Sequence, residues 1–265
     1  FSHGSQHCVI ASKKTGFYPA VETWFKMLCN SKHISNNVLK RYGYKIIPSQ
    51  FIPSNQPDLT IDIDQIVAKT KTYPVICKPE EGFKGRGIVV AYTPAELQRH
   101  IKQLLKLQTN FLIQPVIRNT EYRVLVINNT VFVAHTKALP TITGDGSRTV
   151  AKILKDTPEQ PIDKQFLAHE LKNRKLKLSS ILPANTTLPT HITRKGGTTL
   201  YVKDEIPADI RNWALTLCQD LNTDTIGIDV FIPDDTSDVA KYQIIEINAS
   251  PGFTYLASRY KKKAL

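Results

Sequence analysis

The chain has 265 residues, 41% of them hydrophobic and 22% charged, with a formal net charge of +12. This length and composition support a real core in one large domain or two joined lobes, and they exclude wholesale disorder. No apolar run approaches a membrane span, and the positive balance suits either nucleic-acid phosphates or a field for nucleotides and anionic substrates.

Taken in chain order, residues 19–30 predict a helix with Pro19 in its first turn, and 34–42 a second short helix stopped by Gly43. Tyr44 to Ile47 predicts a short strand ended by Pro48. Residues 48–58, rich in Pro, Ser, Asn and Gln, predict a loop, and 62–71 a further helix. Tyr73 to Pro79 is an apolar strand carrying Lys78 near its end. A glycine-rich turn follows, then a second strand, Gly87 to Tyr92. Thr93-Pro94-Ala95-Glu96 is a capping box with proline at the first helical position. The helix it opens should bury Leu97, Ile101, Leu104 and Leu105. Phe111 to Ile113 is a strand entering Gln114-Pro115. Val124–Ile127 and Val131–Ala134 are strands joined by a tight hairpin at Asn128-Asn129-Thr130. Residues 136–165 and 176–200 are polar and read as loops. Pro207 opens an amphipathic helix with Ile210, Trp213, Ala214, Leu217, Cys218 and Leu221 on its apolar positions. Strands over Thr225–Ile232 and Tyr242–Asn248 finish the domain. Hairpins interrupt the alternation of strand and helix, so the class is α+β.

Cys8, Cys29, Cys77 and Cys218 show no pairing or metal-type spacing and read as reduced thiols in a cytoplasmic protein. The sequence opens on Phe1 without a secretory signal, so a piece of a longer chain is expected. Basic residues are spread along the chain. Only Arg259-Tyr260-Lys261-Lys262-Lys263 forms a run, read as a solvated tail, and no stacked-aromatic or recognition-helix motif argues for nucleic acid.

Two segments carry chemistry. In Lys78-Pro79-Glu80-Glu81-Gly82-Phe83-Lys84-Gly85-Arg86-Gly87, the glycines Gly82, Gly85 and Gly87 free the backbone to curl around an anion. Lys84 and Arg86 add charge, and Lys78 can reach a phosphate as a point charge. The spacing is neither a P-loop nor a dinucleotide turn; strand, glycine loop and strand make a phosphate-covering flap. A plain glycine hairpin with surface charges is the competing interpretation. The second segment joins Asp229, in an apolar strand, to Glu246 and Asn248, which lie two apart and so share a face. If the strands are neighbours, three oxygen ligands converge, a set that suits Mg2+. Polar residues on an exposed edge strand are the alternative.

These segments occur in order, with Gln114 at a strand-to-loop junction between them. The chain resembles the ATP-grasp superfamily, most closely the ATP-grasp domain of cyanophycin synthetases, from about Gly4 to Phe253. The resemblance rests on Val75–Val89, Gln114-Pro115-Val116-Ile117, Glu121-Tyr122-Arg123, Gly144-Asp145-Gly146, Ile192–Gly197 and Glu246–Phe253. It implies a two-lobed fold with the nucleotide between two antiparallel-rich sheets: a lead-in over 1–30, an N-lobe over 31–113, a C-lobe over 114–258 and a basic tail over 259–265. It implies ATP and Mg2+ as cofactors. Lys78 and the flap would bind phosphates, Gln114, Val116 and Ile117 adenine, and Glu121 the ribose or base, while Asp229, Glu246 and Asn248 would hold the metal. Arg123, Lys137 and Arg194 are candidates for stabilising an acyl phosphate, and a surface salt bridge is the alternative for each. Asp145 and Ser147 are read as shaping a turn.

The implied activity is ATP-dependent carboxylate–amine ligation on amino acids or short peptides, with acidic groups suggested by the basic balance. Gln114 stands where the family has an acidic residue. The flanking domains of cyanophycin synthetases are not in the sequence, so a simpler ligase is expected. A degenerate module that binds nucleotide or a partner is the alternative. Expected partners are the carboxylate and amine substrates and a homo-oligomer or separate partner domain, with no membrane and no nucleic acid.

Overall fold

The computed structural model describes residues 10–11, 16–17, 23–53, 62–81, 87–117, 119–159, 161–192, 199–202, 206–233 and 238–250; for 10, 11, 16, 17, 137 and 199–202 the backbone alone is described. The elements are β1 (Ile10–Ala11), β2 (Gly16–Phe17), α1 (Thr23–Asn30), α2 (Lys32–Arg41), β3 (Gln50–Ile52), α3 (Ile63–Lys69), β4 (Val75–Pro79) and β5 (Val89–Ala91). They continue with α4 (Pro94–Lys106), β6 (Phe111–Pro115), β7 (Thr120–Ile127), β8 (Thr130–Lys137), β9 (Thr141–Thr143), α5 (Val150–Asp156) and α6 (Lys164–Asn173). The last are β10 (Thr187–Pro189), β11 (Thr199–Val202), α7 (Ala208–Asp220), β12 (Ile226–Ile232), a 3-10 turn (Val239–Lys241) and β13 (Gln243–Asn248). Helices on mostly antiparallel sheets make the expected α+β class. Among the described residues no helix is long and apolar enough to cross a membrane.

Two compact units divide the chain, one of Phe1–Ala134 with Lys203–Leu265 and one of His135–Val202. The first holds the four-stranded antiparallel sheet β3–β6–β4–β5. Alternation sorts its residues. Val75, Cys77, Phe111 and Ile113 lie on one face and build a core with Leu97, Ile101 and Leu104 of α4 and Ile66 of α3. Helix α4 starts where its capping residues predict. Thr93 Oγ1 accepts from Glu96 N–H at 3.2 Å, and Glu96 Oε2 accepts from Tyr92 N–H at 2.8 Å.

The other large sheet runs β11–β8–β7–β12–β13. Strand β12, between β7 and β13 and antiparallel to both, is buried along its whole length. Asn128 and Asn129 form the β7–β8 hairpin with φ of 49° and 53°, both in the left-handed region that such turns require. On α7 the predicted Ile210, Trp213, Ala214, Leu217 and Cys218 are all buried, as is Leu221 at its C-cap. Trp213 meets Tyr242 edge-on at 5.5 Å, and Tyr242 Oη donates to Asp209 Oδ2 at 2.6 Å. Burial pushes the thiols of Cys29, Cys77 and Cys218 up to about 12, so they serve as packing groups, not nucleophiles.

Three local expectations are corrected. Residues 44–47 form no strand; Ile46 makes a single parallel bridge to Ile244. The stretch read as a loop over 48–58 contains β3, because Phe51 and its neighbours pair as an edge strand with β6 although a proline follows at 53. The polar stretch 136–165 contains β9, α5 and the start of α6, and the stretch 176–200 contains β10 and the start of β11. In the second unit, Ile142, Val150, Ile153, Leu167, Leu171, Leu182 and Leu188 make a core of their own.

The Gly-Asp-Gly segment is turn chemistry, as read. A Cβ on Gly144 would lie 2.2 Å from the Pro183 carbonyl oxygen. Asp145 Oδ1 accepts from the N–H groups of Ser147 and Arg148 at 2.9 Å, and Arg148 Nε meets Asp145 Oδ2 at 2.6 Å. The Arg148 and Ser147 backbone donors, followed by the guanidinium, hold the Asp145 carboxyl below the usual carboxylate range. A folded-state value below the unfolded one stabilises above the ordinary aspartate value of about 4 and is lost as pH falls through the folded value. The melting temperature of Asp145→Ala should therefore lie below that of the parent at neutral pH, with the gap closing on acidification. A gap unchanged down to strong acid, followed by circular dichroism, would refute this role.

Candidate active site

The register of β12 decides the site. Asp229 lies opposite Arg123 of β7 on one side and opposite Glu246 of β13 on the other. Cross-strand partners share a face, as do residues two apart. Glu121, Arg123, Asp229, Glu246 and Asn248 therefore project from one face. Val124, Val126, Ile228, Val230 and Ile247, all buried, take the other.

Arg123 Nε meets Asp229 Oδ1 at 2.6 Å, and Asn248 Nδ2 donates to Glu246 Oε1 at 3.4 Å. Asp229 is only 8% exposed. Burial pushes its carboxyl well above the usual range; Arg123 opposes this, and the carboxylates of Glu246 and Glu121 add to it. Burial acts upward on Glu246 too, but the charges of Lys32, Lys78 and Arg123 outweigh it and hold that carboxyl low. Two adjacent carboxylates, one with raised proton affinity, are a site short of positive charge. With the Asn248 amide they form an all-oxygen donor set that fits Mg2+. Among the described residues no group of three or more His, Cys, Asp or Glu side chains is placed to hold a metal ion.

Lys78 and Gln114 come from the four-stranded sheet. Gln114 pairs with Ile76, and Lys78 lies two residues along β4, so both share the face opposite the α4 core. Lys78 is 8% exposed and Gln114 4%. Burial pulls the Lys78 ammonium down to about 8; Glu246, Asp229 and Glu121 counter this, and Lys32 adds to it. The Val116 N–H is already engaged, donating to the Pro74 carbonyl at 3.1 Å. Ile117 follows it in the loop after β6.

Lys32 escaped the sequence reading. It is the first residue of α2, whose first turn contains no acidic residue. A cation there adds to the positive end of the helix dipole, an unfavourable arrangement for stability alone and a favourable one for an anion. The Ser31 cap followed by lysine was the signal that could have found it.

Gly82, Lys84, Gly85, Arg86 and Arg194 lie outside the described residues, and Lys137 is placed by its backbone alone, at the end of β8. Gly87 closes the glycine segment with φ of +73°, and a Cβ there would lie 2.8 Å from Pro79 Cγ.

Residues 29–146 match the family described as the RimK-like ATP-grasp domain. A cyanophycin synthetase from Geminocystis herdmanii is 26% identical over 216 residues, covering 72% of this chain and 24% of that protein. The chain thus spans about a quarter of the length of such curated relatives. The D-alanine–D-alanine ligase structure from Bacillus anthracis superposes with a TM-score of 0.54 at 14% identity, over 86% of this chain and 59% of that one. The fold is the ATP-grasp fold. The structure of the ATP-grasp ligase PsnB with minimal precursor, Mg and ADP gives a TM-score of 0.51 at 14% identity, over 89% of this chain and 55% of that one. The ATP-grasp resemblance read from the motifs therefore holds.

Gly87→Ala tests the flap junction. It forces an L side chain into the left-handed region and onto Pro79, so it should destabilise by about 1–2 kcal/mol or more. Gly43→Ala, at φ +85° with nothing within 4 Å, carries the strain without the contact and should be milder. Equal urea midpoints for the two variants would contradict the Pro79 contact.

Proposed function

We propose that the chain is an ATP-dependent carboxylate–amine ligase module that joins amino acids or short peptides through an acyl phosphate. The observation that carries this reading is the cross-strand pairing of Asp229 with Glu246, with the charges of buried Lys78 and half-buried Lys32 acting on Glu246. Cations beside paired carboxylates suit a metal-bound polyphosphate, since each set neutralises a different part of it. The fold supports the reading, as do the ligase relatives, one of whose structures holds Mg and ADP.

In this proposal the N-lobe over 31–113 supplies Lys32, Lys78 and the glycine flap, and the C-lobe over 114–258 supplies the rest. Lys32 and Lys78 hold the phosphates. Asp229, Glu246 and Asn248 hold Mg2+, which supplies charge neutralisation at the transferring phosphoryl group. Gln114, Val116 and Ile117 border the base, and Glu121 lies toward the ribose. Since the Val116 N–H is occupied, its contribution is packing or its carbonyl oxygen. Arg123, placed beside Asp229, is within the field of the phosphoryl group and steadies the charge that develops on the acyl phosphate; Lys137 and Arg194 are assigned the same task. Positioning and charge stabilisation supply most of the catalysis. Amino-acid or peptide substrates and a cytoplasmic setting belong to the same proposal.

One observation favours a second reading, a nucleotide-binding module without turnover: Arg123 holds Asp229 at 2.6 Å, engaging a carboxylate that the metal needs. ADP release separates the two. With ATP and Mg2+, turnover should require one acid–amine pair from a panel of amino acids and short acidic peptides. It should vanish in Asp229→Ala and Glu246→Ala while circular dichroism remains that of the parent. ATP binding without turnover on any pair would support the binding module.

A further inference from the structure

Glu80 is a buried carboxylate outside every role assigned above. It is 7% exposed, so each of its polar atoms must find a partner or weaken the fold. All four do. Its Oε1 accepts from the Ser31 hydroxyl, and its Oε2 accepts from Asn110 Nδ2 at 3.2 Å. Its N–H donates to the Asn110 carbonyl at 2.9 Å, and its own carbonyl accepts from Lys32 Nζ at 3.0 Å. These bonds tie three segments far apart in sequence: the N-terminus of α2, the end of β4 and the turn before β6.

The partners matter more than the number of bonds. Ser31 is the N-cap of α2, its Oγ also accepting from Ile34 N–H at 3.1 Å, and the next residue is Lys32. Lys78 lies two residues before Glu80 on β4. One side chain therefore fixes the helix end that carries one lysine to the strand end that carries the other. The two ammonium groups are close enough for Lys32 to disfavour charge on Lys78. Left to themselves, like charges at that range would spread apart. The Glu80 clasp holds Lys32 through its carbonyl and the cap while its carboxylate stays committed to Ser31 and Asn110.

We infer that Glu80 is a positioning residue: it sets the spacing of Lys32 and Lys78, and through it the affinity for a polyphosphate chain. This rests on the ATP-binding reading and deepens it by assigning a residue that touches no substrate. Preorganised cations lose little freedom on binding, so their placement appears directly in affinity.

Calorimetric titration of ATP and of AMP, both with Mg2+, tests the inference in four proteins: the parent, Glu80→Ala, Lys32→Met and the double variant. Glu80→Ala should weaken ATP by about tenfold, the factor for one misplaced charge-assisted contact, and leave AMP within about twofold. In the Lys32→Met background the same change should cost less than about twofold, because the group being positioned is gone. Equal weakening of ATP and AMP, equal weakening in both backgrounds, or no weakening would each overturn the inference. Should Glu80→Ala fail to fold, Glu80→Gln is read by the same criteria, since it keeps the volume and one acceptor while losing the other. A parent protein that binds no ATP would sink the nucleotide reading itself and the inference with it. Binding by the parent with no effect at Glu80 would sink the inference alone.

Discussion

Three charged residues stand in one line across three strands, Arg123, Asp229 and Glu246, and their register governs what the site can be. Asp229 is in the most buried strand, where an isolated carboxylate would be costly. Arg123 meets part of that cost. The rest is met by proton affinity, since burial beside Glu246 favours the neutral acid. The arrangement is thus polarised toward accepting positive charge. A one-residue slip of β13 would turn Glu246 and Asn248 to the opposite face and bury them in the aliphatic core. The packing of α7 through Trp213 and Tyr242, which immediately precedes β13, fixes that register from behind.

Positive charge arrives from other elements of the same compact unit. Lys78 sits on the face of the four-stranded sheet that the α4 core leaves unused, and Lys32 sits at a helix start that already favours anions. Lys78 is poorly placed for stability: it is buried enough to lose proton affinity, and the Lys32 charge adds to that loss. Such unfavourable placements gather where a ligand is to relieve them. Glu80 belongs to this picture as the clasp that keeps the pair together against its own repulsion.

Much of this was legible in the sequence. The strands around Asp229 and Glu246 announced themselves by the apolar residues that flank each carboxylate, and α4 by its cap and its Leu97–Ile101–Leu104 spacing. Asn128-Asn129 named its own turn. The elements that escaped were short and depended on distant partners. β3 exists because β6 lies beside it, and nothing local in Gln50-Phe51-Ile52 requires a strand. Helices α5 and α6 are short and mix charged residues among their apolar ones, although Thr149 and Asp163 are proper caps. Lys32 and Glu80 were missed for a related reason. Their significance lies in contacts across 48 and 49 positions of chain, which no local pattern records.

The central claim is that the Asp229–Glu246 face takes Mg2+ together with a nucleotide triphosphate. A titration of a non-hydrolysable ATP analogue with and without Mg2+, on the parent and on Glu246→Gln, tests it without depending on an unknown acceptor. The account predicts that Mg2+ strengthens binding to the parent and has little effect on Glu246→Gln, which keeps the shape of the side chain and removes its charge. Equal dependence on Mg2+ in both proteins would place the metal elsewhere and contradict it.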